Sequence, residues 1–539
     1  MKVTLLALYT EGMQLWQEEI GLCSLASFLR RAGYEVQLIS YLESDIDYKE
    51  ILDFKPDLLG ISLYDINKNA AYRVSGKLRQ LMPELFLCFG GNLPTYFDEG
   101  ILEECKDVDF VIRGEGENVL LEVVSKSDLK ASMREIKGVT FREGEQIIVN
   151  ESQELICDLD SLPFPARDLL IQNHSKSAQI STSRGCKAKC TFCASQLFWK
   201  RWRGRSVKNI VDELEYIVNT YGIRTFNFID GSFEDPGDDS DRLWQIAREI
   251  VDRKLFISYF CHMRAEFYKN ASDEQLRLLK ESGLCGVCTG LESGNKRDLR
   301  LYGKIANHYD MDRAIHIFNE YGINIEPGFI NFNPYSTLEG LRENIQFLEK
   351  YGFASNIEHI STIYKMYKGT RLYDVIRADG LLKPDKFNEF GYKFRDRRVE
   401  VLFQKVHKFI MNNDDQGIVD LFGKLVYFTT KQWTLTNYYK RILLDRGSTD
   451  AVDAITEFEL AGMQYRDNLN STIANWFNEL LDLAENQWSE EQSDKITGNY
   501  LNKQYITDIL KSFQKAKTAL YKNLIKYDMN FLTNTIDFI

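Results

Sequence analysis

The sequence lacks the features that would place it in a membrane or among nucleic-acid-binding proteins. No apolar run reaches the roughly 18 residues that a membrane span needs, and the opening stretch MKVTLLALYTEG turns polar too early for a signal peptide. Acidic residues outnumber basic ones by 79 to 67, so the net charge of -12 does not favour a nucleic-acid partner, despite the short basic stretch KRWRGR. We therefore expect a cytoplasmic protein without a membrane span.

Cysteine is scarce, with ten residues among 539, and three of the ten stand together. Cys186, Cys190 and Cys193 lie in the stretch CKAKCTFC, whereas the other seven are scattered along the chain. Scattered cysteines in a reducing compartment do not form a disulfide framework, so we expect most of the seven to be small buried hydrophobic side chains. Cys285 and Cys288, on a predicted strand, belong to this core group. The three clustered cysteines instead indicate metal or redox chemistry.

The order of apolar and amphipathic segments predicts an α/β protein with three structured regions. Residues 1–140 alternate continuous apolar strands with helical patterns, which predicts a doubly wound, Rossmann-like parallel sheet. A linker spans 141–177, where two prolines discourage regular structure. Residues 178–384 form a second βα series, predicted as a partial (βα)6 barrel of the TIM type. Residues 385–539 are predicted to form a helical carboxy-terminal domain.

Six strands are predicted in the second βα series, each beside a helix. Their sequences are AQISTS, TFNFID, LFISYFCH, GVCTGLES, INIEPGFINF and NIEHISTIY. Two helix starts carry capping boxes, Ser272 with Gln275 and Ser336 with Glu339. Parallel barrels bind ligands at the carboxyl ends of their strands. The three-cysteine loop follows the first strand, so we expect it at the mouth of the site.

Three thiolates this close to one another are suited to a single inorganic cluster. Three cysteine ligands on a four-iron cube leave one iron open. Zinc is the alternative, although structural zinc takes four ligands, usually as two separated pairs. His174 would then be a distant fourth ligand, and chance spacing of the cysteines is a third interpretation.

The stretch CKAKCTFC resembles the C-x-x-x-C-x-aromatic-C motif of the radical SAM superfamily, which also follows the first strand of a βα series. The resemblance implies that the three cysteines bind a [4Fe-4S] cluster, with the aromatic Phe192 in the cofactor site. It also implies that the open iron binds S-adenosylmethionine (SAM), whose cleavage gives a 5′-deoxyadenosyl radical. An external electron donor, such as a flavodoxin or a ferredoxin, would then reduce the cluster.

Further stretches along the predicted barrel resemble radical SAM motifs. WRGRSVKNIVDELEYI is similar to an arginine-serine lead into the first long helix. FNFIDGSF is similar to an acidic motif on the second strand and places Asp230 there, although Gly231 replaces the second residue of a common Asp-Asp pair. The resemblance assigns Arg264, in HMRAEF, to the methionine carboxylate of SAM, and Glu292, in CTGLESGN, to the ribose or amino group. The alternative is a structural ion pair between Arg264 and Glu292.

The amino-terminal region resembles the cobalamin-binding domain that precedes many radical SAM cores. The resemblance rests on PDLLGISLYDINKNAA, FGGNLPTYF and IRGEGENVLLEVV. It implies cobalamin contacts at Ser62, Tyr64, Gly90, Gly91, Asn92, Gly114, Glu115 and Gly116. No histidine precedes His174, so the loop LYTEGMQLWQ supplies none to cobalt. The alternative is a Rossmann-like domain that packs on the barrel and binds nothing.

These resemblances imply an enzyme. We expect a cobalamin-dependent radical SAM C-methyltransferase that uses the 5′-deoxyadenosyl radical and methylcobalamin on an unactivated carbon. Two alternatives stay open: a cobalamin-dependent rearrangement, ring contraction or cyclisation, and a sensor that binds cobalamin and an iron–sulfur cluster. A peptide, a lipid-like chain or a carrier-bound metabolite would all suit the aromatic stretch FWKRWRGR as substrate. The helical carboxy-terminal region is predicted to be a cap or dimer surface, with a substrate lid as the alternative.

Overall fold

The computed structural model divides the chain into two compact units. The described residues are 1–10, 18–236, 241–383, 391–412 and 449–526, with residues 440, 443, 444 and 447. The first unit comprises Met1–Lys187, Ala194–Leu255 and Tyr367–Gly369, and the second comprises Ala188–Cys193, Phe256–Met366 and Thr370–Ile539. Most of the loop LYTEGMQLWQ, and part of the predicted carboxy-terminal domain, lie outside the described residues.

A seven-stranded sheet forms the centre of the first unit. Its strands are β1 (Lys2–Tyr9), β2 (Glu35–Leu42), β3 (Leu58–Ser62), β4 (Phe86–Gly90), β5 (Phe110–Ile112), β6 (Val139–Glu143) and β7 (Gln146–Val149). They lie in the order β2-β1-β3-β4-β5-β6-β7, and the first five are parallel. The five parallel strands read as apolar runs because both faces of such a sheet are covered. The predicted Rossmann-like sheet is confirmed.

Helices pack around the strands of the first unit. They are α1 (Ile20–Arg31), α2 (Tyr48–Phe54), α3 (Lys68–Leu81), α4 (Asn92–Glu104), α5 (Gly116–Ser125), α6 (Leu129–Ser132), α7 (Asp168–Gln172), α8 (Ser195–Trp199), α9 (Val207–Tyr221) and α10 (Arg242–Asp252). Leu22, Ala26 and Leu29 of α1 share a buried apolar core with Val119 and Val123 of α5. Their spacing of three or four residues puts each set on one helix face.

The sheet continues past residue 140, where the sequence predicted a linker to begin. β6 pairs antiparallel with β5, and β7 pairs antiparallel with β6. The chain turns between them at Gly144, whose φ of 57° suits a residue without a side chain. The residues up to Val149 therefore belong to the sheet.

The first unit also contains the beginning of the second βα series. β8 (Ser177–Ile180) pairs in parallel with β11 (Thr225–Phe228), and β9 (Ser183–Arg184) pairs antiparallel with β10 (Arg203–Gly204). The side chain of Ser206 caps α9 by accepting the backbone N–H of Asn209 at 3.2 Å. The first two predicted strands are confirmed, and so is the lead into the first long helix.

Three parallel strands form the centre of the second unit. Its strands, in spatial order, are β12 (Ser258–Met263), β13 (Leu284–Glu292) and β14 (Asn324–Phe329). Burial alternates along β14, where Ile325, Pro327 and Phe329 are buried and the residues between them are partly open. One face of this sheet is therefore packed, and the other carries accessible side chains.

Helices follow the strands of the second unit and fill its carboxy-terminal part. They are α11 (Asp273–Ser282), α12 (Lys296–Leu301), α13 (His308–Glu320), α14 (Leu338–Lys350), α15 (Ile357–Ser361), α16 (Arg371–Ala378), α17 (Arg397–Asn412), Thr449–Glu485, Glu490–Tyr500 and Lys503–Lys526. Trp476 is fully buried among these helices and donates its indole N–H to Thr497 Oγ1 at 3.2 Å. The helical carboxy-terminal region is thus confirmed. No helix of the described residues is long and apolar enough to cross a membrane.

The prediction of a sixth strand over NIEHISTIY is wrong for most of its length. Residues Ile357–Ser361 form the helix α15, because the Asn356 side chain accepts the backbone N–H of Glu358 and caps a helix start. Only Ile363 pairs as a strand would, in a single bridge to Phe332. In the described parts of this series the structure has two of the predicted strands in the first unit and three in the second.

One of the two predicted capping boxes is confirmed and the other is wrong. Ser272 and Gln275 cap α11 reciprocally. α14 is instead capped by Thr337, whose Oγ1 accepts the N–H of Gly340 at 3.1 Å. The Ser336 hydroxyl accepts the N–H of Asn333 at 2.9 Å, so it stabilises the preceding turn.

Candidate active site

A cavity of about 310 Å³ lies at the carboxyl ends of the parallel strands in the first unit. Its lining includes all eight residues predicted for cobalamin: Ser62, Tyr64, Gly90, Gly91, Asn92, Gly114, Glu115 and Gly116. They follow β3, β4 and β5, which end at the same edge of the sheet. No histidine belongs to the lining within the described part of the chain. The structure therefore brings the predicted set together, while their contact with a ligand stays a prediction.

Glycines shape the wall of this cavity. A Cβ atom built at Gly90 or Gly114 would meet no atom within 4 Å, so the backbone there is open to a ligand. Gly91 and Gly114 have φ angles of 99° and 75°, which residues with side chains rarely adopt. The strand ends at Gly90 and Gly114 thus leave room for a ligand to approach the backbone closely.

Ser62 and Tyr64 face a buried carboxylate that the sequence did not single out. Tyr64 Oη donates to Glu19 Oε2 at 2.8 Å, and Ser62 Oγ lies 3.4 Å from the same oxygen. Burial raises the pKa of Glu19, and these two hydrogen bonds oppose the shift. Both hydroxyls thus tie the end of β3 and the residues after it to Glu19.

Two arginines outside the predicted set bind the acidic residues at the start of α5. Arg184 donates to Glu115 at 2.6 Å and to Glu117 at 2.5 Å, and Arg203 donates to Glu115 at 2.8 Å. Burial alone would raise the pKa of Glu117, but the Arg184 guanidinium outweighs it and holds that pKa below its usual value. The segment that precedes the cysteines is therefore tied by charge to the loop predicted to bind cobalamin.

The indole of Trp199 adds a flat wall to the same cavity. The guanidinium carbons of Arg184 and Arg203 lie 5.6 and 5.9 Å from its ring centroid, within cation–π range. Apolar side chains and bare backbone provide most of the remaining wall. The volume is at the low end of the roughly 300–1,000 Å³ typical of ligand pockets. The cavity thus fits one part of a ligand as large as cobalamin.

In the first unit, the cysteine loop begins at Cys186 on a closely packed backbone. Gln196 Nε2 donates to the Cys186 carbonyl at 2.7 Å, and the N–H of Lys187 donates to Asp235 at 2.7 Å. A Cβ atom at Gly231 would lie 3.1 Å from the Gly185 carbonyl oxygen. The glycine that replaces the usual aspartate therefore allows this close approach.

Asp230 is buried and supports the residues before the cysteines. Ser183 donates to its Oδ1 from both the backbone N–H and the hydroxyl, the latter at 2.7 Å. Burial raises the pKa of Asp230, and the charge of Arg242 opposes this shift. These hydrogen bonds tie Asp230 to the strand before the cysteines, and its contact with a cofactor stays a prediction.

In the second unit, the rest of the loop is fixed on the end of α12. The N–H of Thr191 donates to the Tyr302 carbonyl at 2.9 Å, and the Thr191 hydroxyl donates to the Leu301 carbonyl at 2.6 Å. The Phe192 ring meets the buried Tyr302 ring edge-on at 5.4 Å between centroids. The aromatic position of the motif therefore anchors the loop between Cys190 and Cys193.

Glu292 and Arg264 each have a partner, and they are not paired with each other. Glu292 lies 3.5 Å from Lys304, and Arg264 lies 3.4 Å from Glu266. The alternative of an ion pair between Arg264 and Glu292 is therefore wrong. Burial raises the pKa of Glu292, whereas Lys304 opposes the shift.

Glu292 also adopts an unusual backbone conformation. Its φ is 64°, and the pairing of β13 with β14 shifts register between Gly290 and Glu292. A residue with a side chain in this region costs about 1–3 kcal/mol and is found most often at functional sites. The strained strand end holds the carboxylate beside Lys304.

Lys304 is a residue of this site that sequence reasoning missed. Its side chain is 7% exposed. Burial alone would lower the pKa of Lys304, but Glu292 and Cys190 outweigh it and raise that pKa. Burial raises the pKa of the Cys190 thiol, and Lys304 opposes this shift. A buried cation is therefore placed for both a cluster thiolate and an anionic ligand group.

The cysteine loop fits a cube better than a single metal ion. Among the described residues, no three histidine, cysteine, aspartate or glutamate side chains converge to hold one ion. Thiolates on a [4Fe-4S] cube bind different irons, so they need not converge on one point. All three cysteines are partly exposed, unlike the buried Cys261 and Cys285. The donor set thus suits the predicted cluster.

Comparisons with known proteins agree with both parts of this site. Residues 15–124 match the B12 binding domain, and residues 180–348 match the Radical SAM superfamily. An uncharacterized methyltransferase from Pyrococcus horikoshii is 30% identical over 374 residues, which cover 67% of this chain and 79% of that protein. An anaerobic magnesium-protoporphyrin IX monomethyl ester cyclase from Synechocystis is 27% identical over 316 residues, 56% of this chain and 62% of that protein.

Solved structures show the same fold. The cobalamin-dependent SAM radical enzyme OxsB with aqua-cobalamin bound matches with a TM-score of 0.68 at 19% identity, over 94% of this chain and 84% of that one. The radical SAM methyltransferase TsrM from Kitasatospora setae, with cobalamin and a [4Fe-4S] cluster bound, matches with a TM-score of 0.57 at 16% identity, over 70% and 78%. The chain belongs to the cobalamin-dependent radical SAM enzymes, which use a [4Fe-4S] cluster, SAM and cobalamin.

Proposed function

We propose that this enzyme transfers a methyl group to an unactivated carbon of its substrate. The observation that carries the proposal is the cavity of the first unit, whose lining gathers the eight predicted cobalamin contacts and includes no histidine in the described residues. Cobalamin held by these residues would supply the methyl group. The similarity to a methyltransferase over 79% of that protein's length supports the same function.

Each cofactor is assigned to residues of this chain. Cys186, Cys190 and Cys193 would hold the cluster, and Arg264 and Glu292 would bind SAM. The glycines and polar side chains at the ends of β3, β4 and β5 would hold cobalamin. When bound, the cluster and SAM supply a 5′-deoxyadenosyl radical, and cobalamin carries the methyl group.

The chain's own residues bind and orient these groups. Bare backbone at Gly90 and Gly114 lets a bulky ligand approach the strand ends. Lys304 keeps positive charge beside Glu292 and Cys190, where the anionic ends of a ligand and a thiolate need it. Phe192, packed on Tyr302, holds the loop in place between Cys190 and Cys193. These roles position the reactants and limit side reactions, which is the protein's share of cofactor chemistry.

Enzymes with a radical SAM core need an external electron donor. We assign this role to a small donor of the flavodoxin or ferredoxin type, and we place the reaction in the cytoplasm, where such donors and SAM are available. The substrate itself is left open among peptides, lipid-like chains and carrier-bound metabolites.

A cyclisation or rearrangement is the second candidate function. It is favoured by the 27% identity to the anaerobic cyclase from Synechocystis, of which this chain covers 62%. Such a reaction would use the same cysteine loop and the same cavity. It differs in leaving the methyl group of SAM untransferred.

Product analysis of the reconstituted enzyme separates these functions. Anaerobic protein with cobalamin, SAM and reductant should form both 5′-deoxyadenosine and S-adenosylhomocysteine, because methylation of cobalamin does not need the acceptor substrate. Formation of 5′-deoxyadenosine alone by protein that has bound cobalamin would favour cyclisation or rearrangement. Absence of 5′-deoxyadenosine would contradict both candidates.

A further inference from the structure

Three polar side chains form a row across the sheet of the second unit. His262 on β12 pairs in register with Cys288 on β13, and Cys288 pairs with Glu326 on β14. Residues in register on parallel strands project from the same face of a sheet. His262 is exposed, and Cys288 and Glu326 are partly exposed, so this is the open face rather than the packed one. We call these three residues the strand row.

A histidine on α15 lies behind the strand row. His359 Nε2 is 3.3 Å from Glu326 Oε1, and its Nδ1 is 2.9 Å from the Phe353 carbonyl oxygen. A carbonyl only accepts, so Nδ1 carries a proton. Nε2 then either donates to Glu326 as imidazolium or accepts the Asn356 amide N–H at 3.4 Å as a neutral ring. In both states the contact with His359 is made by Oε1 of Glu326. The Glu326 side chain is 37% exposed, so it stays accessible to a ligand.

Two other carboxylates of the second unit have a lysine or an arginine as partner. Glu292 is paired with Lys304, and Glu266 is paired with Arg264. Among the ion pairs of the described residues, Glu326 is matched only by His359, which is charged only when protonated. Burial, followed by the charges of Glu326 and Glu292, raises the pKa of the Cys288 thiol to about 12, which places the thiol in the negative potential of this carboxylate. The strand row therefore presents the Glu326 carboxylate, which has no lysine or arginine partner among the described residues, beside the neutral Cys288 thiol.

We propose that the strand row binds a cationic amine of the substrate, with Glu326 accepting its hydrogen bonds. The inference rests on the proposed function, since it deepens that function by assigning a chemical class to the open substrate. A carboxylate whose internal partner is a histidine, rather than a lysine or an arginine, attracts an ammonium group, and the neutral Cys288 thiol beside it carries no positive charge. A substrate with a phosphate or carboxylate at this position would face repulsion from Glu326. His359 is a positioning residue that orients the carboxylate from behind.

Charged thiol reagents test this site without knowledge of the substrate. The reconstituted full chain is treated with methanethiosulfonates that carry an aminoethyl, a sulfonatoethyl or a neutral methyl group, and modification of Cys288 is followed by peptide mass spectrometry. The aminoethyl reagent should modify Cys288 at least roughly tenfold faster than the sulfonatoethyl reagent, relative to free N-acetylcysteine, because a nearby anion attracts the one and repels the other. The rate ratio is independent of the thiolate fraction, which affects both reagents equally.

Two variants assign the effect to Glu326. Glu326→Gln should bring the ratio to that of N-acetylcysteine, while Glu358→Gln, an exposed carboxylate on α15, should leave it unchanged. An unchanged ratio in Glu326→Gln, or no modification of Cys288 by the neutral reagent, would overturn the proposal. The test does not depend on SAM cleavage, so an enzyme that forms no 5′-deoxyadenosine but shows the charge preference would contradict only the proposed function.

Discussion

The parallel strands of the two units end in different residues: glycines in the first unit and a buried charge pair in the second. In the first unit, β4 and the loop after β5 end in glycines, and the φ angles of Gly91 and Gly114 exclude ordinary side chains. In the second unit, β13 ends in a buried carboxylate, Glu292, held beside Lys304. Both sheets use the carboxyl ends of their strands, as open parallel sheets generally do.

The difference follows from the ligands that each sheet is predicted to bind. A large macrocycle needs space and backbone hydrogen bonds, so side chains are removed from the strand ends. A small zwitterion such as SAM needs fixed charges at short range, so ionisable side chains are added and buried in pairs. The same position in the fold is thus predicted to serve two ligands, through bare glycines in the first unit and through buried charges in the second.

Loss of the cluster tests whether the two sites are separate. Cys190→Ala should abolish 5′-deoxyadenosine formation and lower the iron content, because a cube with two protein thiolates is not held firmly. Cobalamin retention should be unchanged, since the cavity belongs to the first unit. Cys157→Ala, at an exposed position, is the matched control and should retain both properties. Loss of cobalamin from the Cys190 variant would contradict the expectation that the cluster site and the cobalamin site are independent.

The first unit also buries charges away from its cavity, and there they support the fold. Arg167 donates to Glu18 at 2.7 Å and to Glu213 at 2.5 Å, and all three side chains are at most 1% exposed. Arg167→Met leaves two buried carboxylates without their shared cation, so we expect a loss of about 3–5 kcal/mol in the free energy of unfolding. The measurement is urea denaturation followed by circular dichroism.

A surface arginine gives the control for this loss. Arg30 pairs with Asp168 at 2.8 Å, with both side chains 36% exposed. Arg30→Met should cost only about 0.2–1 kcal/mol, because solvent screens an exposed pair. If both variants lose the same free energy of unfolding, burial does not determine how much each ion pair contributes to stability.

The sequence predicted which residues gather at the glycine-lined cavity, because the determinants of that cavity are local. Continuous apolar strands and the glycines that follow them are read directly from short stretches, and all eight predicted residues line one cavity. The charge pairs were missed because they are not local. Arg184 meets Glu115 across 69 residues of sequence, and no spacing rule connects them.

The wrong strand has a physical explanation as well. NIEHISTIY mixes apolar and polar residues over a length at which strand and helix periods look alike. Asn356, an effective helix cap, was the signal that favoured α15. Lys304 was missed because it follows α12 on a short turn and reaches Glu292 only in the folded second unit.

A side chain placed at the end of β4 tests the glycine-lined cavity of the first unit. Gly90→Leu places a side chain into space where a Cβ atom meets nothing within 4 Å, so the fold should persist while cobalamin binding weakens. We expect at least a hundredfold loss of affinity, about 2.7 kcal/mol, measured by equilibrium dialysis. Gly498→Leu, also with open space around its Cβ position but outside the cavity lining, should bind cobalamin normally. Normal binding by the Gly90 variant would place the ligand elsewhere.

Removal of one buried cation tests the charged site of the second unit. Lys304→Met leaves Glu292 buried without its partner, which should raise the pKa of Glu292 further and favour its neutral form. We expect SAM binding, measured by calorimetry on protein with an intact cluster, to weaken about tenfold, or about 1.4 kcal/mol. Cobalamin binding should not change, because Lys304 does not belong to the lining of the cavity in the first unit. Lys350→Met, which removes an exposed lysine paired with Asp312, should leave SAM affinity unaltered. If both lysine variants bind SAM as the wild type does, the charge pair of Lys304 and Glu292 at the end of β13 does not contribute to SAM binding.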